Sequence, residues 1–307
     1  MLQKTPKGKI IFIGGGQDLS RGKRSLITDD GDLKRFQILM ELIPQKRSSG
    51  KKTIEIITTA SSEPNEVSKL YLKAFKKIGF SEVGFIFVGN NHESHKPQFI
   101  KRIKKAHAVL FSGGDQFRLS TILGNTEVLE AVRQRYMEDP DFIVAGSSAG
   151  AMALPEIMII QGEINEAIQN LELKISSGFG FIDHCMIDTH FVQRGRFGRL
   201  SEAVVMNPGF LGIGIGEDTA LLIKKGNHAE CIGSGMVIII DGKDVGHTNI
   251  AFADEGEALC IENLKVHILS NGNGFLLKER KFITAKKDIK RLLSIKNKGK
   301  AGKAAKK

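Results

Sequence analysis

Residues 144–155, VAGSSAGAMALP, hold two adjacent serines between glycines, directly after a short apolar run. With Ser148 as the central residue the stretch satisfies G-x-S-x-G, flanked by Gly146 and Gly150, and Ser147 takes the variable position. In that pattern a serine sits on a sharp strand-to-helix turn. Small neighbours are needed on both sides, and nearby backbone N–H groups can stabilise negative charge. Taken alone, the same letters also spell an ordinary small-residue turn. A serine nucleophile needs a base, an orienting acid and an oxyanion hole, and the rest of the chain has to supply them.

Eight histidines are available as the base. His92 and His95 fall in a polar loop, His107 at a helix-to-strand junction and His184 just before a strand. His228, His247 and His267 lie in a β-rich C-terminal part. His190 ends an apolar strand-like run, CMIDTH, expected to finish at the same sheet edge as Ser148. It is followed by FVQRGRFGRL, with Arg194, Arg196 and Arg199 close together. These arginines read either as a solvated helix start or as a fixed anion-binding cluster, because guanidinium forks grip carboxylates bidentately. FSGGDQ (111–116) also ends an apolar run. Its glycines let backbone N–H groups approach a ligand, so Gly114 with Ala149 can form an oxyanion hole. A tight turn with Asp115 as helix N-cap is equally compatible with those residues.

The elements that must position these groups are legible as a series. KIIFIGGG (9–16), TIEIITTA (53–60), VGFIFVG (83–89), AVLFSGG (108–114), FIVAGSS (142–148) and CMIDTHF (185–191) are short apolar runs ending in small or polar residues. Helical patterns lie between several of them, at 66–79 and from Glu127 to Tyr136. Alternation of this kind predicts βαβ units, hence an α/β fold with a mostly parallel central sheet flanked by helices. Function is then expected at the C-terminal ends of the strands, where all the residues above fall. Beyond about residue 211 the runs shorten and are punctuated by Gly, Asn and Asp, which predicts antiparallel strands at the edge of the sheet. The reading is one domain over residues 1–277 and a basic, partly disordered tail over 278–307.

Composition bounds the partners. From Lys278 to Lys307 there are 13 Lys/Arg against Glu279 and Asp288, so this tail carries the whole net charge of +11 and the other residues sum to zero. The body is therefore not a basic protein. Nucleic-acid binding is confined to a minor possibility at the tail, where it would be salt-sensitive. No apolar run is long enough to span a membrane. The start, MLQKTPKGKI, has no apolar signal region, and Cys185, Cys231 and Cys260 fit neither a disulfide framework nor a zinc site. Both features read as a cytoplasmic protein.

Together FSGGDQ, AGSSAGAMALPEIM, IDTHFVQRGRFGRL and GIGIGEDTALL, in this order, resemble peptidase family S51 and its cyanophycin-hydrolysing branch. The resemblance implies a class I glutamine amidotransferase-like, flavodoxin-like fold without metal or organic cofactor, and a homodimer. It implies Ser148 as nucleophile, His190 as base and Glu217 as the orienting acid. Glu163 and Glu166 in QGEINEAI are a second carboxylate region, with Glu166 the alternative acid; Glu217 is preferred because it follows a strand-like run. The substrate implied is cyanophycin, a poly-aspartate carrying arginine on each β-carboxyl, released as β-Asp-Arg dipeptides. The substrate pocket maps onto Gln116, Asp188, Thr189, Arg194, Arg196 and Arg199. Thr189 departs from the family pattern, which has glutamine there. Short β-aspartyl peptides are the alternative substrate, and a non-catalytic acidic-polymer-binding protein is the alternative role.

Overall fold

Five short runs rich in Ile, Val, Phe and Leu form the parallel half of a nine-stranded sheet, four of them buried on both faces and the edge strand partly exposed. They are β1 (Lys9–Ile13), β2 (Thr53–Ile57), β3 (Glu82–Ile86), β4 (Ala108–Phe111) and β5 (Ile143–Ser147). They pair side by side in the order β1-β5-β4-β2-β3. Burial on both faces explains why these strands read as continuous apolar runs rather than alternating ones. The computed structural model describes residues 5–15, 38–43, 51–162, 168 and 173–286. The candidate acids Glu163 and Glu166, and residues 287–307 of the basic tail, lie outside them. Among the described residues no helix is long and apolar enough to cross a membrane.

Alternation along each strand separates two cores. Ile11, Ile13, Ile54 and Ile56 face the helix Pro64–Lys77 through its Tyr71, Ala74 and Phe75. Ile10, Phe12, Val109 and Phe111 face the opposite side, where the helices Pro97–Lys105, Gln116–Leu123 and Glu127–Glu138 contribute Ile103, Leu119 and Val132. The helix expected over 66–79 begins two residues earlier because Pro64 suits a first turn, and it stops before Gly79, whose φ is +96°.

The later strands divide between three sheets. The hairpin β6 (Ile157–Gln161) and β7 (Lys174–Ser177) stands alone. After β8 (Cys185–Thr189) and β9 (Leu211–Ile215), β10 (Thr219–Lys224) and β11 (His228–Gly233) extend the large sheet beyond β1 in antiparallel fashion. β14 (Gly274–Leu276) and β15 (Lys281–Ile283) complete that wing. Thus the first residues of the basic segment, past 277, still form a paired strand. β12 (Val237–Asp241) and β13 (Lys265–Leu269) join β9 and β8 in a separate four-stranded sheet.

The run at 185–189 is therefore not a strand of the large sheet, contrary to the sequence expectation. β8, the helix Phe197–Met206 and β9 form a crossover unit of their own. One face of this unit packs Leu200, Ala203 and Val204 against Met186 and Ile240. Its other face sends Ile187 and Ile213, beside Ile239 of β12, into the core shared with the large sheet. A five-residue apolar run has no periodicity that tells which sheet it joins.

Phe111 is fully buried and meets the rings of Phe179 and Phe181 at 5.4 and 6.3 Å. Phe111→Ala is expected to cost about 3–5 kcal/mol, read as a lower denaturant midpoint at unchanged m-value.

Candidate active site

β5 ends at Ser147, and strand alternation sends that side chain to the helix-covered face, where it hydrogen-bonds the Tyr71 hydroxyl. Burial pushes the Tyr71 pKa upward against this bond. Ser148 then takes φ 52° and ψ −121°, which reverses the chain into the short helix Ala149–Ala153. A non-glycine residue held at positive φ is strained and needs its surroundings to fix it. Here the backbone on either side is closely packed. A Cβ at Gly150 would overlap the Phe111 carbonyl, and one at Gly146 would lie 2.5 Å from the Gly150 oxygen. Both glycines of the G-x-S-x-G pattern are therefore dictated by space.

Ser148 Oγ lies 2.9 Å from His190 Nε2, and His190 Nδ1 lies 2.7 Å from Glu217 Oε1. With Nδ1–H donating to the Glu217 carboxylate, the imidazole presents an unprotonated Nε2 to the serine hydroxyl. The three side chains come from three places: the end of β5, the residue after β8, and the loop between β9 and β10. Gly113 borders the serine, since a Cβ there would lie 3.8 Å from Ser148 Oγ. The N–H groups of Gly114 and Ala149 have no hydrogen-bond partner among the described residues. The same holds for Gly113 N–H, so this turn and the helix start carry unpaired donors of the kind an oxyanion needs. Asp115 caps the next helix, accepting from the amides of Phe117 and Arg118 at 2.8 and 3.0 Å.

The remaining sequence candidates divide. Asp188, fully buried, accepts from Arg199 Nε at 2.7 Å and Arg199 Nη2 at 2.6 Å, and from Arg196 Nη1 at 2.9 Å. Arg196 Nη1 also donates to the Thr189 carbonyl at 2.8 Å. Burial lowers the Arg196 pKa, opposed by the Asp188 charge. Two of the three arginines thus turn inward onto one carboxylate, while Arg194 is exposed. Thr189 is fully buried, and its Oγ1, like Arg196 Nε, has no partner among the described residues. Gln116 donates its amide to the carbonyls of Ile159 and Ile160 at 3.0 and 3.2 Å, which ties it to β6.

One contributor carries no reactive side chain and reads in the sequence only as a glycine turn. The carbonyls of Ile13, Gly14 and Gly15 accept from the amides of Ser148 (3.0 Å), His190 (2.8 Å) and Asp218 (3.1 Å) respectively. Gly15 has φ +100°, and a Cβ there would sit on the His190 imidazole. The signal was present in the letters GGG after β1, but only the fold says what the glycines face.

Comparison with known proteins places this site in context. A model of peptidase family S51 matches residues 26–231. The chain is 35% identical over 272 residues to a cyanophycinase of Synechococcus elongatus, covering 89% of this chain and 80% of that protein. It is 32% identical over 285 residues to a cyanophycinase of Trichormus variabilis, covering 92% and 91%. A crystal structure of a peptidase from an acI-B1 Actinobacterium shares the fold with a TM-score of 0.62 at 22% identity, covering 89% of this chain and 98% of that one.

Two substitutions test the geometry. Gly15→Ala is expected to lower any serine-dependent turnover by about a hundredfold or more, because displacing a catalytic group by 1 Å has that effect. Fluorophosphonate labelling of Ser148 should slow in parallel. Asp188→Asn leaves two buried guanidiniums short of a counter-charge and is expected to cost about 3–5 kcal/mol of unfolding free energy, measured in urea.

Proposed function

The chain belongs to peptidase family S51, and from that premise we propose that it is a serine exopeptidase degrading cyanophycin to β-Asp-Arg dipeptides. The observation that carries the reading is the hydrogen-bonded line Ser148–His190–Glu217, at 2.9 and 2.7 Å. It is supported by relatives named cyanophycinase that match about nine-tenths of the chain. In this mechanism Ser148 Oγ attacks the backbone carbonyl beside a β-linked aspartate while its proton passes to His190 Nε2. Glu217 holds the imidazole in the required tautomer and stabilises the imidazolium. The N–H groups of Gly114 and Ala149 take the oxyanion. His190 then returns the proton to the leaving amine, and the C–N bond breaks. A water molecule, deprotonated by the same nitrogen, hydrolyses the acyl-serine and frees the dipeptide.

A substrate with a carboxylate and a guanidinium in every repeat calls for charged partners. Exposed Arg194 is the available cation, Arg196 and Arg199 share Asp188, and Gln116 lines the approach beside the Gly113–Gly114 turn. Thr189 favours a second reading. It is enclosed where family members carry a long amide, so the pocket has lost one reaching group. That suits short β-aspartyl peptides better than the polymer. In either case the enzyme works in the cytoplasm as a homodimer, which sedimentation should report as twice 33.7 kDa.

Incubation with insoluble cyanophycin is expected to yield β-Asp-Arg as the dominant product. Ser148→Ala should lower that rate by about four to six orders of magnitude, and near-normal hydrolysis by this variant would falsify the assignment. Faster cleavage of β-aspartyl dipeptides than of the polymer would select the second reading.

A further inference from the structure

Three successive amides fix the chain where the acid of the site departs. Gly216 N–H donates to the Met236 carbonyl at 3.1 Å, and Asp218 N–H donates to the Gly15 carbonyl at 3.1 Å. Between them, Glu217 N–H donates not to backbone but to a side chain, Gln193 Oε1, at 3.1 Å. The outer two bonds set the path of the chain. The middle one sets the rotation of the peptide plane from which the Glu217 side chain leaves.

Gln193 lies three residues beyond His190, in a turn closed by the Arg194 amide donating to the His190 carbonyl at 3.0 Å. A ring therefore closes on itself. It runs from the His190 imidazole to the Glu217 carboxylate, through the Glu217 backbone to the Gln193 amide, and along three residues back to His190. Both neighbours of the contact have left-handed backbone, with φ 49° at His190 and 51° at Asp218. Such conformations persist only where the surroundings over-determine them. A neutral amide suits the task. It accepts from the Glu217 N–H without setting a second negative charge beside the Glu217 carboxylate, which a glutamate would do.

We propose that Gln193 is a positioning residue that aligns Glu217 on the His190 imidazole, acting on the reaction through the acid and not through substrate. The proposal rests on the Ser148–His190–Glu217 reading. Its own content is that the sequence FVQR carries a residue of the machinery between the base and the exposed arginine.

The test uses the full chain with Gln193→Met, which keeps length without an acceptor, and Gln193→Ala as a second variant. Gln193 is exposed, so both are expected to fold, with melting temperatures within a few degrees of the parent. The expected result is a fall in kcat of roughly five- to tenfold, the worth of one hydrogen bond, with KM within about twofold. Labelling of Ser148 by a fluorophosphonate, which needs no substrate, should slow by a similar factor. Unchanged kcat and labelling overturn the proposal, and so does a change confined to KM with normal labelling, which would make Gln193 a substrate contact. The control is Ser148→Ala: if that variant still hydrolyses cyanophycin, the triad reading fails. If it is inactive while both Gln193 variants behave as the parent, only the role of Gln193 is lost.

Discussion

Three consecutive carbonyl groups, those of Ile13, Gly14 and Gly15, hold the candidate site together by accepting the amides of Ser148, His190 and Asp218. The donors are distant in sequence and come from different sheets, yet they share one feature. Ser148, His190 and Asp218 have φ of 52°, 49° and 51°. Each is a non-glycine residue in a conformation that costs roughly 1–3 kcal/mol, and each donates its N–H to the same three-residue segment. The strain is thus held where the chain must turn sharply to present a side chain. The hydrogen bonds offset it at about 0.5–1.5 kcal/mol apiece. The segment follows directly from β1, the strand that separates the parallel half of the large sheet from its antiparallel wing. It is therefore anchored on both sides by ladders: β5 pairs with one edge of β1, and β10 with the other.

The second constraint is electrostatic and lies on the far side of His190. Asp188 is the last residue but one of β8, and its carboxylate gathers Arg196 and Arg199 from the turn and helix that follow. The segment 190–195 is consequently stapled at both ends, by backbone at Gly14 and by ion pairs at Asp188. Such a buried pair is weak evidence for stability, because desolvation consumes much of the attraction. Its consequence here is geometric: the guanidinium of Arg196 also holds the Thr189 carbonyl, one residue before the base.

Much of this was open to reading in the sequence. The strands of the parallel half are announced by apolar runs, four of them buried on both faces, and the turn at 146–150 by its glycines. The choice of Ser148 over Ser147 follows from G-x-S-x-G, which centres on Ser148 between Gly146 and Gly150. Other features left no usable trace. The run at 185–189 has the composition of a central strand, and only its crossover partner β9 assigns it to another sheet. Arg194, Arg196 and Arg199 are identical letters, yet two turn inward and one faces solvent, because Asp188 is reachable from only two of the three. The Ile13–Gly15 carbonyls act through atoms every residue possesses, so no side-chain pattern encodes them.

That last point explains how the geometry tolerates sequence change. A site positioned by side-chain contacts must keep matched pairs; one positioned by main-chain carbonyls needs only that the approaching chains can come close. At Gly14 and Gly15 a Cβ would strike the Gly216 carbonyl and the His190 ring. The requirement therefore reduces to small residues at two positions, plus the strand ladders that hold them. The rest of the chain is free to vary its surface and much of its core, provided buried volume and alternation are kept. A relative differing at about two-thirds of aligned positions can then keep the same path of strands to the same three ends. Thr189 lies outside that frame: its side chain is fully buried and makes no hydrogen bond among the described residues. Its carbonyl is held by Arg196 whatever its side chain, so the residue before the base can be exchanged while the base stays in place.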